Sequence, residues 1–170
     1  GAGFIGSHTA DALLAKGHEV RVLDSLEEPV HRGGQPPKYL SPEVEFIKGD
    51  VRDESILLAA MRGVDAIYHL AAYQDYLPNY SRFYTTNVVS TALIYELIER
   101  EGLTLKKVIV ASSQAALGEG LYLDVNDQRV LPGLRSNNQL ANGVWDIQPQ
   151  GMEVGPLRHT LTDETIANPQ

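Results

Sequence analysis

The stretch GAGFIG at residues 1–6 is the part of the sequence that decides the fold. It matches the pattern G-x-G-x-x-G and opens residues 5–16, where the spacing of Ile5, Ala12 and Leu13 predicts a helix. Glycines in this pattern let backbone N–H groups approach a pyrophosphate, and a helix N-terminus favours its negative charge. Alone, the pattern is equally typical of a glycine-rich turn, so its meaning depends on the residues that follow.

Strand and helix signals alternate along the next hundred residues. Apolar or alternating runs predict strands over residues 19–24, 44–48, 65–70 and 107–111, the last two of them buried. Helical spacing predicts helices over residues 54–62, with Asp53 as cap, and 81–101, with Gly102 after the last turn. This order predicts an α/β fold, a doubly wound parallel sheet with helices on both faces, within a domain of residues 1–118.

The composition changes after Gly118. Residues 119–170 are rich in Gly, Pro, Asn and Gln and show no sustained period. They predict an irregular insertion or lid, with short strands near 121–124 or 153–158.

Asp24 ends the first predicted strand, 18 residues after Gly6. A carboxylate there accepts hydrogen bonds from the hydroxyls of an adenosine ribose and repels a 2′-phosphate. This favours NAD over NADP, although Arg21 is near in sequence. The alternative is an Asx-turn leading into the next loop. With the glycine pattern at this spacing, we favour ribose binding.

Three further groups of residues follow predicted strands. Gly49-Asp50-Val51 stands where an adenine edge would lie, or forms a turn that leads to the Asp53 cap. Small residues in Leu70-Ala71-Ala72 would let a ligand pass over the sheet edge, although core packing is the commoner explanation. Ser113 would hydrogen-bond a reacting oxygen, although a turn or cap serine is commoner.

Composition excludes several classes of protein. The 170 residues carry a net charge of −8, and the longest basic run is Lys106-Lys107, which argues against a nucleic-acid partner. Cysteine is absent, and none of the five histidines pairs with another at metal-ligand spacing, so we expect no metal site. No apolar run is long enough for a membrane span, and no signal peptide is visible. We expect a cytoplasmic protein with no membrane partner.

Several motifs together resemble the extended short-chain dehydrogenase/reductase family, in its NAD-dependent epimerase/dehydratase group acting on nucleotide sugars. They run in the family's order over residues 1–120: GAGFIGSH at 1–8, VLDSL at 22–26, GDVRD at 49–53, HLAA at 69–72, TNVVSTAL at 86–93 and VIVASSQAALGEG at 108–120. The segment 69–84 and the long tail look most like a dTDP-L-rhamnose 4-epimerase-like branch. Relatives of that branch usually carry a cysteine pair where Gln148-Pro149-Gln150-Gly151 stands.

The resemblance implies a Rossmann-like fold, NAD as cofactor and a nucleotide sugar as substrate. It implies a 4-epimerase that oxidises the sugar transiently and reduces it again, and a homodimer formed through the helix over 81–101. Alternatives are a dehydratase or reductase of the same family, or a non-catalytic dinucleotide-binding sensor. The resemblance assigns the cofactor to Gly3, Phe4, Ile5, Gly6, Asp24, Asp50, Val51, Leu70, Ala71, Ala72 and Asn87, and catalysis to Ser113.

The family's Y-x-x-x-K pair is absent, and the sequence begins inside the glycine motif. We therefore expect a truncated chain whose first strand and C-terminal substrate domain are missing, and whose residues 119–170 precede the expected Y-x-x-x-K. We expect no catalysis by this chain alone. We also expect marginal folding, because the strands over 19–24 and 65–70 would have no common neighbour.

Overall fold

The computed structural model describes residues 1–147 and 157–162. The chain divides into two compact units, of which the first comprises Gly1–Ala111 and the second begins at Ser112. The boundary that the sequence predicts, at residue 118, lies inside the second unit.

The first unit alternates helices and short strands. Its strands are β1 (Arg21–Asp24), β2 (Glu45–Lys48), β3 (Ala66–His69) and β4 (Lys107–Val110). Its α-helices are α1 (Phe4–Leu14), α2 (Glu54–Met61), α3 (Tyr80–Phe83) and α4 (Ser90–Glu101), and a 3-10 turn covers Arg32–Gly34. Each predicted strand and helix is present, with its ends within two residues of the prediction.

Local signals account for the helix ends. The Asp53 Oδ1 atom accepts hydrogen bonds from the backbone nitrogens of Ser55 (3.0 Å) and Ile56 (3.2 Å), so Asp53 caps α2 as predicted. Helix α4 ends at Gly102, whose φ of 62° is the left-handed conformation that glycine adopts without strain.

The helix predicted over 81–101 is present, but its first half is not regular α-helix. A π-helical turn, Tyr84–Val89, separates α3 from α4. Hydroxyls compete for backbone carbonyls here: Ser90 Oγ donates to Thr86 O, and Thr91 Oγ1 donates to Asn87 O at 2.9 Å. Such back-bonding loosens the regular ladder, and π-turns are frequent at functional sites.

The strands form two separate parallel pairs. Strand β1 pairs with β2 from Arg21↔Glu45 to Asp24↔Lys48, and β3 pairs with β4 from Ala66↔Lys107 to His69↔Val110. Among the described residues no strand pairs with both β1 and β3, as expected for the strands over 19–24 and 65–70.

One apolar layer joins the two pairs. Leu57 and Met61 of α2 and Ile94 and Leu97 of α4 form a buried cluster. The partly buried residues that pack on it come from both sheets, namely Leu23 of β1, Ile67 of β3 and Val108 of β4. The helices thus connect strands that exchange no hydrogen bonds.

The expectation that the last two strands are buried is wrong. Tyr68 in β3 is 44% exposed and Val110 in β4 is 40% exposed. A pair of strands with no third strand beside it, in the described part of the chain, leaves both edges and their side chains open to solvent.

The second unit is more regular than predicted. Strand β5 (Tyr122–Leu123) lies between the antiparallel strands β6 (Arg129–Val130) and β7 (Arg158–His159). Helix α5 (Asn137–Ala141) begins where Ser136 Oγ accepts from Gln139 N at 3.1 Å. The predicted strand near 121–124 contains β5, whereas β6 and α5 were not predicted. Residues 153–156 of the other predicted strand lie outside the described residues.

Within residues 1–147 and 157–162, no helix combines the length and apolar character needed to cross a membrane. In the same residues, no group of three or more His, Asp or Glu side chains is placed to hold a metal ion.

The cluster shared by α2 and α4 makes a stability prediction. Leu97 is 0% exposed, so replacing it by Ala removes buried contacts and leaves a cavity. We expect Leu97→Ala to lower the free energy of unfolding by about 2–5 kcal/mol in urea titrations. Leu77, 57% exposed in the same unit, is the control, since Leu77→Ala should change it by less than about 0.5 kcal/mol. Equal effects of both changes would contradict the shared core.

Candidate functional site

The glycine loop, residues 1–3, leads into a helix N-terminus that no side chain caps. Gly3 is the N-cap of α1, and no side chain caps this end. The first backbone hydrogen bond of the helix runs from Ser7 N to Gly3 O at 2.9 Å. The N–H groups of Phe4, Ile5 and Gly6 precede that bond and are therefore open to an anion, which the helix dipole also favours.

The two glycines at this end serve different purposes. A Cβ atom at Gly3 would meet no atom within 4 Å, so open space lies beside the loop backbone. A Cβ at Gly6 would lie 1.9 Å from Gly1 O, so only glycine allows the loop to pass so close to the helix. The space at Gly3 and the packing at Gly6 fit a cofactor whose pyrophosphate approaches the backbone.

Asp24 ties this loop to the end of β1. Its Oδ2 atom accepts hydrogen bonds from Gly1 N and Ala2 N, both at 2.8 Å, and its Oδ1 atom accepts one from Leu26 N at 2.8 Å. The last bond is the Asx-turn that the sequence offered as the alternative to ribose binding. A carboxylate has about four acceptor positions, and these three bonds fill three of them.

Opposing effects act on the pKa of Asp24. Burial raises this pKa, but the hydrogen bond and charge of the Gly1 amino group, with the N–H groups of Leu26 and Ala2, lower it more. The net result is a pKa below the ordinary value, so Asp24 is ionised at neutral pH and accepts hydrogen bonds only.

Arg21 lies at the opposite end of β1 from Asp24. Its Nε atom donates to Glu45 Oε2 at 2.8 Å, and its Nη1 atom donates to Ala60 O and Arg62 O at 3.0 and 2.8 Å. The guanidinium is therefore held away from the end of the strand where Asp24 stands, and offers no partner to a phosphate there.

Sequence analysis did not single out His31 as part of this site. Its side chain is 4% exposed, and its Nε2 atom lies 3.5 Å from Asp24 Oδ1. The only signal in the sequence was its position, seven residues after Asp24 in a loop rich in Gly and Pro. The loop after β1 folds back and places this imidazole against the carboxylate.

The turn after β2 carries Asp50 and Val51. Arg52 Nε donates to both Asp50 oxygens, at 2.9 and 3.0 Å, and Asp50 O accepts from Asp53 N at 3.0 Å. The turn therefore leads into the cap of α2, as the sequence allowed. The hydrogen bond from Arg52 lowers the pKa of Asp50 more than burial raises it.

Asn87 holds the segment that follows β3. Its Oδ1 atom accepts from Tyr73 N at 2.7 Å, and its Nδ2 atom donates to Tyr73 O at 3.0 Å. Asn87 belongs to the π-helical turn, so the irregular turn carries the side chain that fixes the backbone just after Leu70, Ala71 and Ala72. Sequence analysis placed Asn87 near the site but did not foresee Tyr73 as its partner.

Ser113 lies in the second unit and caps a 3-10 turn, Gln114–Leu117. Its Oγ atom accepts a hydrogen bond from Ala115 N at 3.2 Å. This is the cap role that the sequence offered as the alternative. Because the hydroxyl acts only as acceptor in that bond, its hydrogen is not used by it.

The NAD dependent epimerase/dehydratase family model matches residues 1–133. The chain belongs to this family. NAD is the family's cofactor, and the Rossmann-like α/β fold follows from membership.

Named relatives agree on the family and differ in activity. The dTDP-L-rhamnose 4-epimerase of Burkholderia thailandensis is 31% identical over 96% of this chain and 46% of its own length. The decarboxylating sterol-4-alpha-carboxylate 3-dehydrogenase of Mus musculus is 31% identical over 71% of this chain and 30% of its own.

Among solved structures, a double mutant of the dTDP-glucose 4,6-dehydratase DesIV from Streptomyces venezuelae, crystallised with NAD, has a TM-score of 0.57. It is 36% identical over 69% of this chain and 39% of its own. The 170-residue chain thus spans less than half the length of these relatives.

The two hydrogen bonds between Asn87 and the Tyr73 backbone, called here the Asn87 clamp, make a prediction about the segment after β3. Replacing Asn87 by Ala removes both bonds to the Tyr73 backbone, so the Tyr73 amide should exchange about fivefold faster with solvent deuterium, as measured by NMR. Asn79→Ala is the control, because Asn79 reaches only the Tyr73 hydroxyl, at 3.0 Å. Unchanged exchange in Asn87→Ala would show that the clamp does not hold the segment.

His69 makes a pH-dependence prediction. It is 6% exposed, its Nε2 atom lies 3.2 Å from Ser90 Oγ, and burial lowers its pKa from 6.5. The unfolded chain takes up a proton near the ordinary pKa while the folded His69 resists it. Protons therefore favour the unfolded chain, and the free energy of unfolding should fall as pH falls below about 6.5.

His69→Asn should flatten this part of the pH profile of the unfolding free energy, measured by urea titration. His18, exposed in the turn after α1, supplies the control His18→Asn, which removes an exposed imidazole rather than a buried one. The same slope in His69→Asn as in the parent would contradict the assignment.

Proposed function

We propose that this chain carries the NAD-binding part of a nucleotide-sugar 4-epimerase. The observation that carries the proposal is the uncapped N-terminus of α1 beside open space at Gly3, in a loop tethered to the Asp24 carboxylate. The extent of the match supports the epimerase: the dTDP-L-rhamnose 4-epimerase matches 96% of the chain, whereas the sterol dehydrogenase matches 71%.

Each part of the cofactor has candidate partners at the carboxyl ends of the strands. The N–H groups of Phe4, Ile5 and Gly6 hold the pyrophosphate, with Gly3 leaving room for it. Asp24 accepts a ribose hydroxyl, and Asp50 and Val51 contact the adenine. Leu70, Ala71 and Ala72 lie along the ribose and phosphates, in a segment that Asn87 positions through Tyr73.

Bound NAD would supply a hydride acceptor and donor, so that a sugar carbinol could be oxidised to the ketone and reduced again on its other face. The proposed role of Ser113 is to donate its hydroxyl hydrogen to the reacting sugar oxygen, an electrostatic effect that lowers the barrier. None of the eight tyrosines has Lys four residues later, so no side-chain pair of that kind takes the sugar proton. We therefore propose that this chain alone does not turn over a nucleotide sugar.

A dehydratase is the second candidate, because the dTDP-glucose 4,6-dehydratase structure is 36% identical to this chain. An acidic pair after the serine would favour a dehydratase, and Gln114-Ala115 stands there instead. A reductase of the family and a non-catalytic NAD sensor are the remaining alternatives. The proposal also includes a cytoplasmic location and a homodimer.

Gly3→Ala tests the proposed pyrophosphate contact. The φ of −70° suits alanine and its Cβ meets no atom within 4 Å, so the melting temperature should not change. The methyl group would occupy space that the pyrophosphate needs, so the dissociation constant for NAD should rise about tenfold in calorimetry. NAD should also raise the melting temperature of the parent and do so less for the variant. Equal NAD affinity of the two chains would contradict this contact, and no NAD binding by the parent would contradict the proposed function.

Turnover tests the catalytic part of the proposal. Incubation of the 170-residue chain with NAD and dTDP-L-rhamnose or UDP-glucose should give no epimer in NMR spectra. Formation of epimer at a rate above that of buffer would contradict the proposed inactivity and leave the epimerase assignment standing.

A further inference from the structure

Two arginines from different elements converge on Glu27. Arg52, in the turn after β2, places its Nη2 atom 3.2 Å from Glu27 Oε1. Arg82, in α3, pairs through its Nη2 atom with Glu27 Oε2. Arg52 also holds Asp50, so Glu27, Asp50, Arg52 and Arg82 form one ion cluster, called here the Glu27 cluster.

The Glu27 cluster lies at the end of the site assigned to adenosine. Glu27 stands three residues after Asp24, and the bond from Leu26 N to Asp24 Oδ1 fixes the turn between them. Asp50 belongs to the cluster and is the proposed adenine contact. The charges that surround an adenosine ribose are therefore set by this cluster as well as by Asp24.

Arg52 and Arg82 have the chemistry of side chains that bind phosphate. A guanidinium presents a planar fork of donors that matches phosphate oxygens, and two such forks lie within reach of one carboxylate here. With Glu27 and Asp50 present, two negative charges balance the two arginines, and each oxygen of Glu27 accepts one guanidinium. The donors are thereby engaged before any ligand arrives.

Arg82 depends most strongly on Glu27 for a partner. Arg52 retains Asp50 when Glu27 is neutral. Among the described residues, the Arg82 guanidinium also lies over the Tyr73 ring, whose centroid is 4.5 Å away, and its charge acts on the carboxylates of Asp50 and Asp75. A ring face attracts a cation but takes none of its N–H hydrogen bonds.

We propose that Glu27 is a specificity-determining residue that excludes cofactors with a phosphate on the adenosine ribose, such as NADP. It does so by neutralising Arg52 and Arg82, and it adds its own charge to the repulsion from Asp24. This inference rests on the proposed function, namely that the chain binds NAD.

The test compares NAD and NADP binding by calorimetry in the 170-residue chain and its variants. Glu27→Gln removes one charge and the ion pair of Arg82 with Glu27, so the affinity for NADP should rise about tenfold, the effect of one charge-assisted hydrogen bond. Its affinity for NAD should change by less than about threefold, because NAD has no phosphate at that position. Glu27→Asp keeps the charge and should keep the parent preference.

Glu28→Gln is the matched control. Glu28 is the next residue along, is exposed, and has no ion pair among the described residues. It removes the same single charge without removing the ion pair of Arg82 with Glu27, so its NADP affinity should stay within about threefold of the parent. In the double variant Glu27→Gln with Arg82→Gln, most of the gain in NADP affinity should disappear.

The outcomes separate this inference from the proposed function. A parent chain that binds neither NAD nor NADP overturns the proposed function and this inference with it. NAD binding by the parent without a gain in NADP affinity in Glu27→Gln overturns the inference alone. An equal gain in Glu28→Gln also overturns it, since the effect would then be one of net charge.

Discussion

The Asp24 carboxylate is the interaction on which the site depends. One of its oxygens accepts from the amino group of Gly1 and from the backbone N–H of Ala2, and the other accepts from Leu26 N. No described strand pairs with both β1 and β3. The bonds to Asp24 hold the N-terminus of α1 against the end of β1. The carboxylate proposed to bind the ribose thus also holds the loop proposed to bind the pyrophosphate.

Apolar packing on helices α2 and α4 joins the two strand pairs, which share no hydrogen bonds with each other. Leu23 comes from one strand pair, and Ile67 and Val108 come from the other. They pack on one buried cluster of the two helices, which brings the carboxyl ends of β1 and β3 into one unit. Two parallel strand pairs that are joined only through these helices are therefore compatible with the family's Rossmann-like fold.

Local chemistry explains which features could be predicted. The side chain of Asp53 caps the start of α2, and Gly102, which has no side chain, ends α4. Alternation of apolar and polar residues, as in β1, predicts a strand directly. The π-turn could not be predicted, because it depends on a hydrogen bond that the Ser90 hydroxyl donates to the Thr86 carbonyl within a long helix. Exposure of Tyr68 could not be predicted either, since it depends on which strands pair.

The candidate site divides in the same way. Gly3 and Asp24 were predicted from a motif and its spacing, and their part in binding a cofactor stays a prediction. His31 and the Glu27 cluster depend on loops that return from distant positions: Glu27 and Arg82 are 55 residues apart. Nothing in the order of residues indicates such pairs.

Mapping NAD by NMR on the 170-residue chain tests the central claim most directly, that the loop held by Asp24 and the carboxyl ends of β1, β2 and β3 form one cofactor site. The account predicts the largest amide shift changes at residues 3–6, 24–27, 50–51 and 70–73, with little change in β5 and β6. Changes confined to other residues, or none at saturating NAD, would contradict it.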